Sequence, residues 1–371
     1  MIMLSFKRSG VAITMAIAIV IAIALPVQAN DSTARVGAGG LALTKSTAIQ
    51  MVEEVLSISQ DTIDVRYKFH NDSATDITTL VAFPMPKYGW NPGESALDAN
   101  VGPLGGFKTL VEERAVETRV AIKAWLGKRD ITGLLKAEGF NDADMAGLMS
   151  CNLGSLEAEQ CISRDVAKRL NRRAPGAFDV RMGSPGFEVQ ETAWWEQKFP
   201  ALTLLDVQHA YAPKVGRVFS SYTGFESDIE TLKPWSPGGN NALESEKAAC
   251  LKDGSGDALR RRIQRLTRMN EGPVWVTLND VEYVLGTGRN WKDPIGHFVL
   301  RIVKRTPDQI VSVCFPGKAR KYDELTLEFE ARDFRPPDGL VVYFYTVKTE
   351  AQIAREMEEE RARQPAAKAR K

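Results

Sequence analysis

The chain has 371 residues, with 48 Lys+Arg against 47 Asp+Glu and a formal net charge of +1. That balance excludes a generally basic nucleic-acid binder and an acidic solvating chain. Hydrophobic residues at 44% and charged residues at 26% exclude wholesale disorder, and the length suits one large domain or two moderate ones.

The first residues read as targeting. Lys7 and Arg8 form a short basic start, and an apolar run from Val11 to Leu25 is interrupted only by Thr14. Pro26 breaks any helix, and Val27-Gln28-Ala29 presents small residues where a signal peptidase reads them. A Sec-type signal peptide spanning residues 1–29 and cleaved after Ala29 is expected, with a periplasmic or secreted product. The apolar run is about 15 residues, short of the roughly 20 that span hydrocarbon, so no stable membrane anchor is expected after cleavage. No Cys lies near the cleavage point and no Arg pair precedes the run, which argues against lipid attachment and the twin-Arg route. Cleavage leaves 46 basic and 47 acidic groups, so the balance survives.

Export gives the cysteines a meaning. Cys151, Cys161, Cys250 and Cys314 would enter an oxidising compartment where disulfides persist. Four cysteines allow three connectivities. Pairing Cys151 with Cys161 and Cys250 with Cys314 is the most economical, each pair lying within one region. No CxxC occurs, and none of His70, His209 and His297 sits beside a cysteine, so no metal and no cofactor is expected.

Along the mature chain, residues 49–59 read as a strand. Residues 63–70 then alternate, with Ile63, Val65, Tyr67 and Phe69 on one face and Asp64, Arg66, Lys68 and His70 on the other. Period two over eight residues predicts a half-buried antiparallel strand. A third strand at 77–83 stops at Pro84 and Pro86, which predicts a three-stranded meander. Residues 111–125 read as one further strand. From 129 to 175 the apolar residues recur at helical spacing, predicting a small helical insertion. Strands return at 187–199 and 201–211, and residues 213–249, rich in Pro, Gly and Asn, read as a long loop.

After Cys250, Leu259, Ile263, Leu266 and Met269 mark one helix, with Ser255 or Asp257 as N-cap and Gly272-Pro273 as stop. Short strands at 274–285, 297–303, 309–314, 324–329 and 340–347 follow, separated by turn residues. The fold class expected is mainly β, an antiparallel β-sandwich-like architecture with a helical insertion. Residues 30–348 form its exported domain. Residues 349–371 read as a charged helical or disordered tail, ended as a helix by Pro365.

Several segments together resemble a known family. They are Asn30-Asp31-Ser32 with Gly39-Gly40-Leu41, Val81-Ala82-Phe83-Pro84-Met85-Pro86, and Trp194-Trp195-Glu196-Gln197-Lys198-Phe199-Pro200. Later come His209-Ala210-Tyr211-Ala212-Pro213, Tyr283 to Trp291 with its Gly286-Thr287-Gly288-Arg289-Asn290 core, Pro294-Ile295-Gly296-His297-Phe298, and Val311-Ser312-Val313-Cys314. The ordered series resembles the bacterial exported family known as domain of unknown function 4424, over about residues 30–345. The resemblance transfers no catalytic residue. It implies a Cys250–Cys314 bridge and gives Cys151 and Cys161 no support. At His209 the family pattern tends to a following basic residue, from which Ala210 departs.

Motifs for chemistry fail on inspection. Gly183-Ser184-Pro185-Gly186 has the wrong spacing for a nucleophile elbow, and Pro185 removes a useful N–H. Asp142-x-Asp144 opens like a calcium loop, but Leu153 stands where its bidentate Glu belongs. Gly286-Thr287-Gly288 lacks a third glycine and a following helix. The basic face of Arg260–Arg262, Arg265 and Arg268 would suit a phosphate or an anionic headgroup, or simply face water. Trp90 and Trp235 sit in Gly/Pro-rich loops and Trp194-Trp195 must point to opposite faces of a strand, making these four the candidate ligand contacts. The expected function is a non-catalytic binding or interaction module for an envelope protein or glycan, with no nucleic acid. The alternative is an exported hydrolase built around His209 or His297.

Overall fold

The computed structural model describes residues 31–37, 40–90, 104, 106–150, 162–181, 184–222, 251, 254–270 and 272–368. The expected signal peptide, Cys151, Cys161, Cys250 and Trp235 lie outside the described residues.

The chain is mainly β, and its strands gather into three substantial sheets. The period-two segment is the strand Ile63–Asn71, in which Ile63, Val65, Tyr67 and Phe69 are buried at 0–1% while Asp64, Arg66 and Lys68 face water. It sits within an eight-stranded sheet. From one edge the order is Arg320–Lys321, Thr326–Phe334, Ile295–Val303, Ile49–Ile58, Ile63–Asn71, Leu204–Tyr211, Lys108–Val111 and Arg114–Val116. All neighbours are antiparallel except Ile295–Val303 and Ile49–Ile58, which run parallel and join the two halves of the sequence.

A seven-stranded sheet follows the order Arg129–Asp130, Arg119–Leu126, Glu188–Phe199, Ile77–Pro84, Ser32–Gly37 and Gly40–Thr44, with Tyr88–Gly89 also pairing to Glu188–Phe199. The third sheet has four strands, Val215–Tyr222, Val274–Val284, Gly339–Thr349 and Ile310–Val313. One apolar core joins all three. It contains Tyr67, Phe69 and Val207 from the first sheet, Phe83 and Trp195 from the second, and Tyr283, Val342 and Phe344 from the third.

Four expectations need correction. The strands Ile49–Ile58 and Ile63–Asn71 do pair, but Ile77–Pro84 leaves for the other sheet, so there is no meander. The buried Asn71 explains the departure: its side-chain amide donates to the carbonyls of Thr75 at 2.9 Å and Phe199 at 3.0 Å, carrying the chain across. Residues 111–125 are split among three strands, because Glu112 and Glu113 both take positive φ (48° and 62°) and turn the chain. The strand Val215–Tyr222 occupies the start of the expected long loop. The C-terminal helix runs from Glu350 to Lys368, past Pro365, which falls in the last turn, so the lost N–H bond and the crowding of the carbonyl one turn back affect only the helix end. The sequence reading also missed the hairpin of Ser32–Gly37 with Gly40–Thr44.

Among the described residues five α-helices decorate the sheets. The helices α1 (Thr132–Ala137), α2 (Asp142–Met149) and α3 (Arg164–Arg173) build a satellite core from Leu135, Met145, Leu148 and Leu170 over Ile122, Ala124, Phe187 and Val189. Asn141 caps α2 with a reciprocal Asp144 contact, so Asp142 and Asp144 open a helix and not an ion-binding loop. The helix α4 (Ser255–Asn270) lays Leu259, Ile263 and Leu266 on Val274, Val276, Tyr345 and Val347 of the four-stranded sheet. The helix α5 (Glu350–Lys368) follows the strand Gly339–Thr349 directly.

A bulge sets what the core contains. Pairing of Ile49–Ile58 with Ile63–Asn71 skips Val52, so the inward positions change from Ile49 and Met51 to Glu54, Leu56 and Ile58. The shift turns a carboxylate inward. Glu54 is 0% exposed and stands opposite Tyr67. The carbonyl of Val52 presses on Gly296 of the parallel neighbour, where a Cβ would sit 2.7 Å from that oxygen.

Candidate functional site

His209 occupies the middle of the core. It alternates inward along Leu204–Tyr211 with Leu205, Val207 and Tyr211, and its side chain has no exposed surface. Its Nε2 lies 3.1 Å from both carboxylate oxygens of Asp31, itself 0% exposed, and its Nδ1 lies 3.1 Å from Thr109 Oγ1. Aromatic rings enclose the imidazole: Phe107 stacks on it at 4.8 Å, with Trp195 at 5.2 Å, Phe83 at 5.3 Å and Tyr67 at 5.7 Å. Tyr67 and Tyr283 meet through their hydroxyls at 3.1 Å.

Burial dominates the electrostatics here. It pushes the Asp31 carboxyl above its usual range, and the adjacent His209 pulls it partly back. Burial also lifts the Tyr67 and Tyr283 phenols well above theirs, so both remain neutral hydroxyls. A hydroxyl, an imidazole and a carboxylate in line have the order of a proton relay. Thr109, His209 and Asp31 are 3%, 2% and 0% exposed, however, and line neither of the clefts described below. What the trio does visibly is hold the start of the described chain in the core.

That start is held from a second side. Trp291 donates its indole N–H to the carbonyl of Asp31 at 2.8 Å, and the Asn290 amide donates to Ser32 Oγ at 3.0 Å. Both residues closely follow Gly286-Thr287-Gly288, the run that fails as a nucleotide cradle. It forms a single 3-10 turn, Gly286–Asn290, whose carbonyl at Asn290 accepts from the Ser46 N–H at 2.7 Å. The turn therefore anchors the loop after the N-terminal hairpin as well as the N-terminal strand itself.

On the outer side of this turn lies a cleft of about 520 Å³. Three segments line it: Lys45 to Thr47, Gly288 and Arg289 with Trp291 to Pro294, and Arg335 with Pro336. Four lining residues are basic and one, Asp293, is acidic. Two of the cations are committed. Arg289 donates to the Pro336 carbonyl at 2.6 Å and pairs with Asp338, while Lys292 pairs with Asp72 at 2.5 Å. The Lys292 ammonium, helped by His70, holds the Asp72 carboxyl below the usual range. Lys45 and Arg335 are exposed and form no ion pair among the described residues. The cleft thus has two cations with no ion-pair partner among the described residues, beside two that are paired.

A second cleft, about 450 Å³, lies between α1 and α2, lined by Glu138, Phe140, Asp144 and Leu148 among others. Its acids are spent: Glu138 pairs with Arg169 and Arg173, and Asp144 caps its own helix. The basic cleft is the better candidate. Among the described residues no group of three His, Cys, Asp or Glu side chains stands close enough to hold a metal.

The expected site residues that lie among the described residues occupy separate places. Trp195 is 3% exposed and donates to Gln197 Oε1 at 3.2 Å, while Trp194, half-buried on the opposite face, takes Arg119 over its ring at 5.1 Å. Trp90 packs against the satellite core of the helical insertion. His70 is 2.5 Å from Asp72, and His297 is 3.4 Å from Glu53 on the parallel neighbour. His297 lines neither cleft. Cys314, the one cysteine among the described residues, is not a free thiol. The sequence reading missed Lys45, Arg289, Lys292 and Arg335. Of the four, only Arg289 lies in a segment the sequence singled out, the run Gly286 to Trp291.

The family described as Domain of unknown function (DUF4424) matches residues 29–343. No curated protein matches the chain. Among solved structures, a Legionella pneumophila protein described as a "putative nutrient binding protein" is similar at 15% identity and a TM-score of 0.40, covering 86% of this chain and 70% of that one. Among the described residues no helix is long and apolar enough to cross a membrane.

Proposed function

The chain belongs to the DUF4424 family, and from that premise we propose that it is an exported, non-catalytic binding module acting in the periplasm or outside the cell. Its ligand is a small anion or an acidic glycan that carries carboxylate or phosphate groups. The observation that carries this reading is the cleft beside Gly286–Asn290, lined by Lys45 and Arg335, neither of which forms an ion pair among the described residues. Two such cations on one cleft suit a ligand with two acidic groups, or one acidic group held by both. Trp291 borders the same cleft and is fixed by its buried hydrogen bond to the Asp31 carbonyl.

Export rests on the three-part leader in the sequence and on the cysteines. Cys250 and Cys314 form a disulfide in this reading, consistent with Cys314 not being free. The thermal unfolding temperature of the protein, measured against a panel of dicarboxylates, phosphates and uronic-acid oligosaccharides, tests the ligand class. Stabilisation by acidic but not neutral members, lost in the Lys45→Ala/Arg335→Ala variant, is the expected outcome. Stabilisation by neutral sugars alone, or an equal shift in the variant, would refute it.

A further inference from the structure

The helix α4 carries a second charged feature that the cleft does not use. Its sixteen residues Ser255–Asn270 include five arginines and one acid, Asp257. The apolar stripe Leu259, Ile263 and Leu266 is consumed by the four-stranded sheet. Two of the arginines are consumed too: Arg260 pairs with Asp257 at 2.7 Å, and Arg262 with Asp308 at 2.6 Å. Arg261, Arg265 and Arg268 are exposed and form no ion pair among the described residues. At spacings of four and three they fall within about a sixth of the helix circumference. Met269, beside the last of them, is 72% exposed.

We infer that this ridge docks the protein on an anionic lipid bilayer. Three adjacent guanidiniums without counter-charges among the described residues repel one another, and the fold leaves them together on a helix pinned from behind by its apolar stripe. A flat array of phosphate headgroups complements that row, and guanidinium groups bind phosphate through two parallel N–H bonds. An exposed methionine among arginines suits the boundary between headgroups and acyl chains, a setting that a dissolved phosphate does not offer. Attachment of this kind is peripheral and salt-sensitive, and needs no membrane-spanning segment. It is independent of the cleft, since neither Lys45 nor Arg335 belongs to α4.

Co-sedimentation of the purified protein with phosphatidylcholine vesicles, with and without phosphatidylglycerol, tests the inference. The wild type should bind only the anionic vesicles and release in high salt. Arg261→Ser/Arg265→Ser/Arg268→Ser should bind about a hundred-fold more weakly, while the corresponding triple Lys variant keeps most of the affinity. A control that removes the same charge elsewhere, Arg114→Ser/Arg181→Ser/Arg332→Ser, should bind as the wild type does. Circular dichroism and the unfolding temperature verify that each variant is folded. No binding by the wild type, equal losses in both Ser triples, or undiminished binding by the α4 triple would overturn it.

Discussion

The indole N–H of Trp291 and the carbonyl oxygen of Asp31 are 2.8 Å apart, across 260 residues of sequence. One residue thereby borders the basic cleft and grips the strand whose carboxylate pairs with His209. Cleft shape and core integrity are coupled through that bond.

The Asp31–His209 pair should therefore be costly to break and less costly to replace. Removing one partner of a buried pair strands the other, at about 3–5 kcal/mol. Asp31→Ala and His209→Ala should each lose stability on that scale in urea unfolding, and the double variant should lose clearly less than their sum. Strict additivity would show that the two side chains do not act as a pair.

The bulge at Val52 makes its own demand on the neighbouring strand. A methyl at Gly296 would meet the Val52 carbonyl at 2.7 Å. Gly296→Ala should cost about 1–3 kcal/mol through overpacking. A variant as stable as the wild type would mean that the two strands separate without penalty.

Acid should destabilise the protein partly through Glu328. Burial raises this carboxyl, but hydrogen bonds from Arg320 and Arg301 outweigh burial and leave it below its ordinary 4.5. A folded-state value below the unfolded one stabilises above pH 4.5, and that contribution is lost as pH falls through the folded value. Unfolding temperatures from pH 7 down to pH 3 should fall less steeply in Glu328→Gln than in the wild type. Parallel curves would contradict the sign.

The proposed Cys250–Cys314 bridge predicts that Cys250→Ser and Cys314→Ser lose the same stability, about 2–5 kcal/mol, and that reductant has no further effect on either. Free thiols at these positions in intact-mass analysis of the wild type would refute the pairing.

The β class was legible because hydrophobic alternation is local. Ile63, Val65, Tyr67 and Phe69 declare their face within a single strand. The helix α4 was legible for the same reason, its stripe and stop signals lying within twenty residues. Partnership between strands was not, since Ile77–Pro84 is drawn to the second sheet by Asn71 bonding a carbonyl 128 residues away. Glu54 was hidden by the bulge, which reverses the inward parity in mid-strand. The cleft was hidden for a third reason. Lys45, Arg289, Lys292 and Arg335 come from three distant segments, and their meeting depends on the turn Gly286–Asn290 being anchored from beneath.

Isothermal titration of the protein with the most stabilising acidic ligand, in wild type and in Lys45→Ala/Arg335→Ala, tests the binding-module account most directly. One-to-one binding that weakens at least ten-fold in the variant, and weakens further with salt in the wild type, is the predicted result. Unchanged affinity in the variant would place the ligand elsewhere and contradict it.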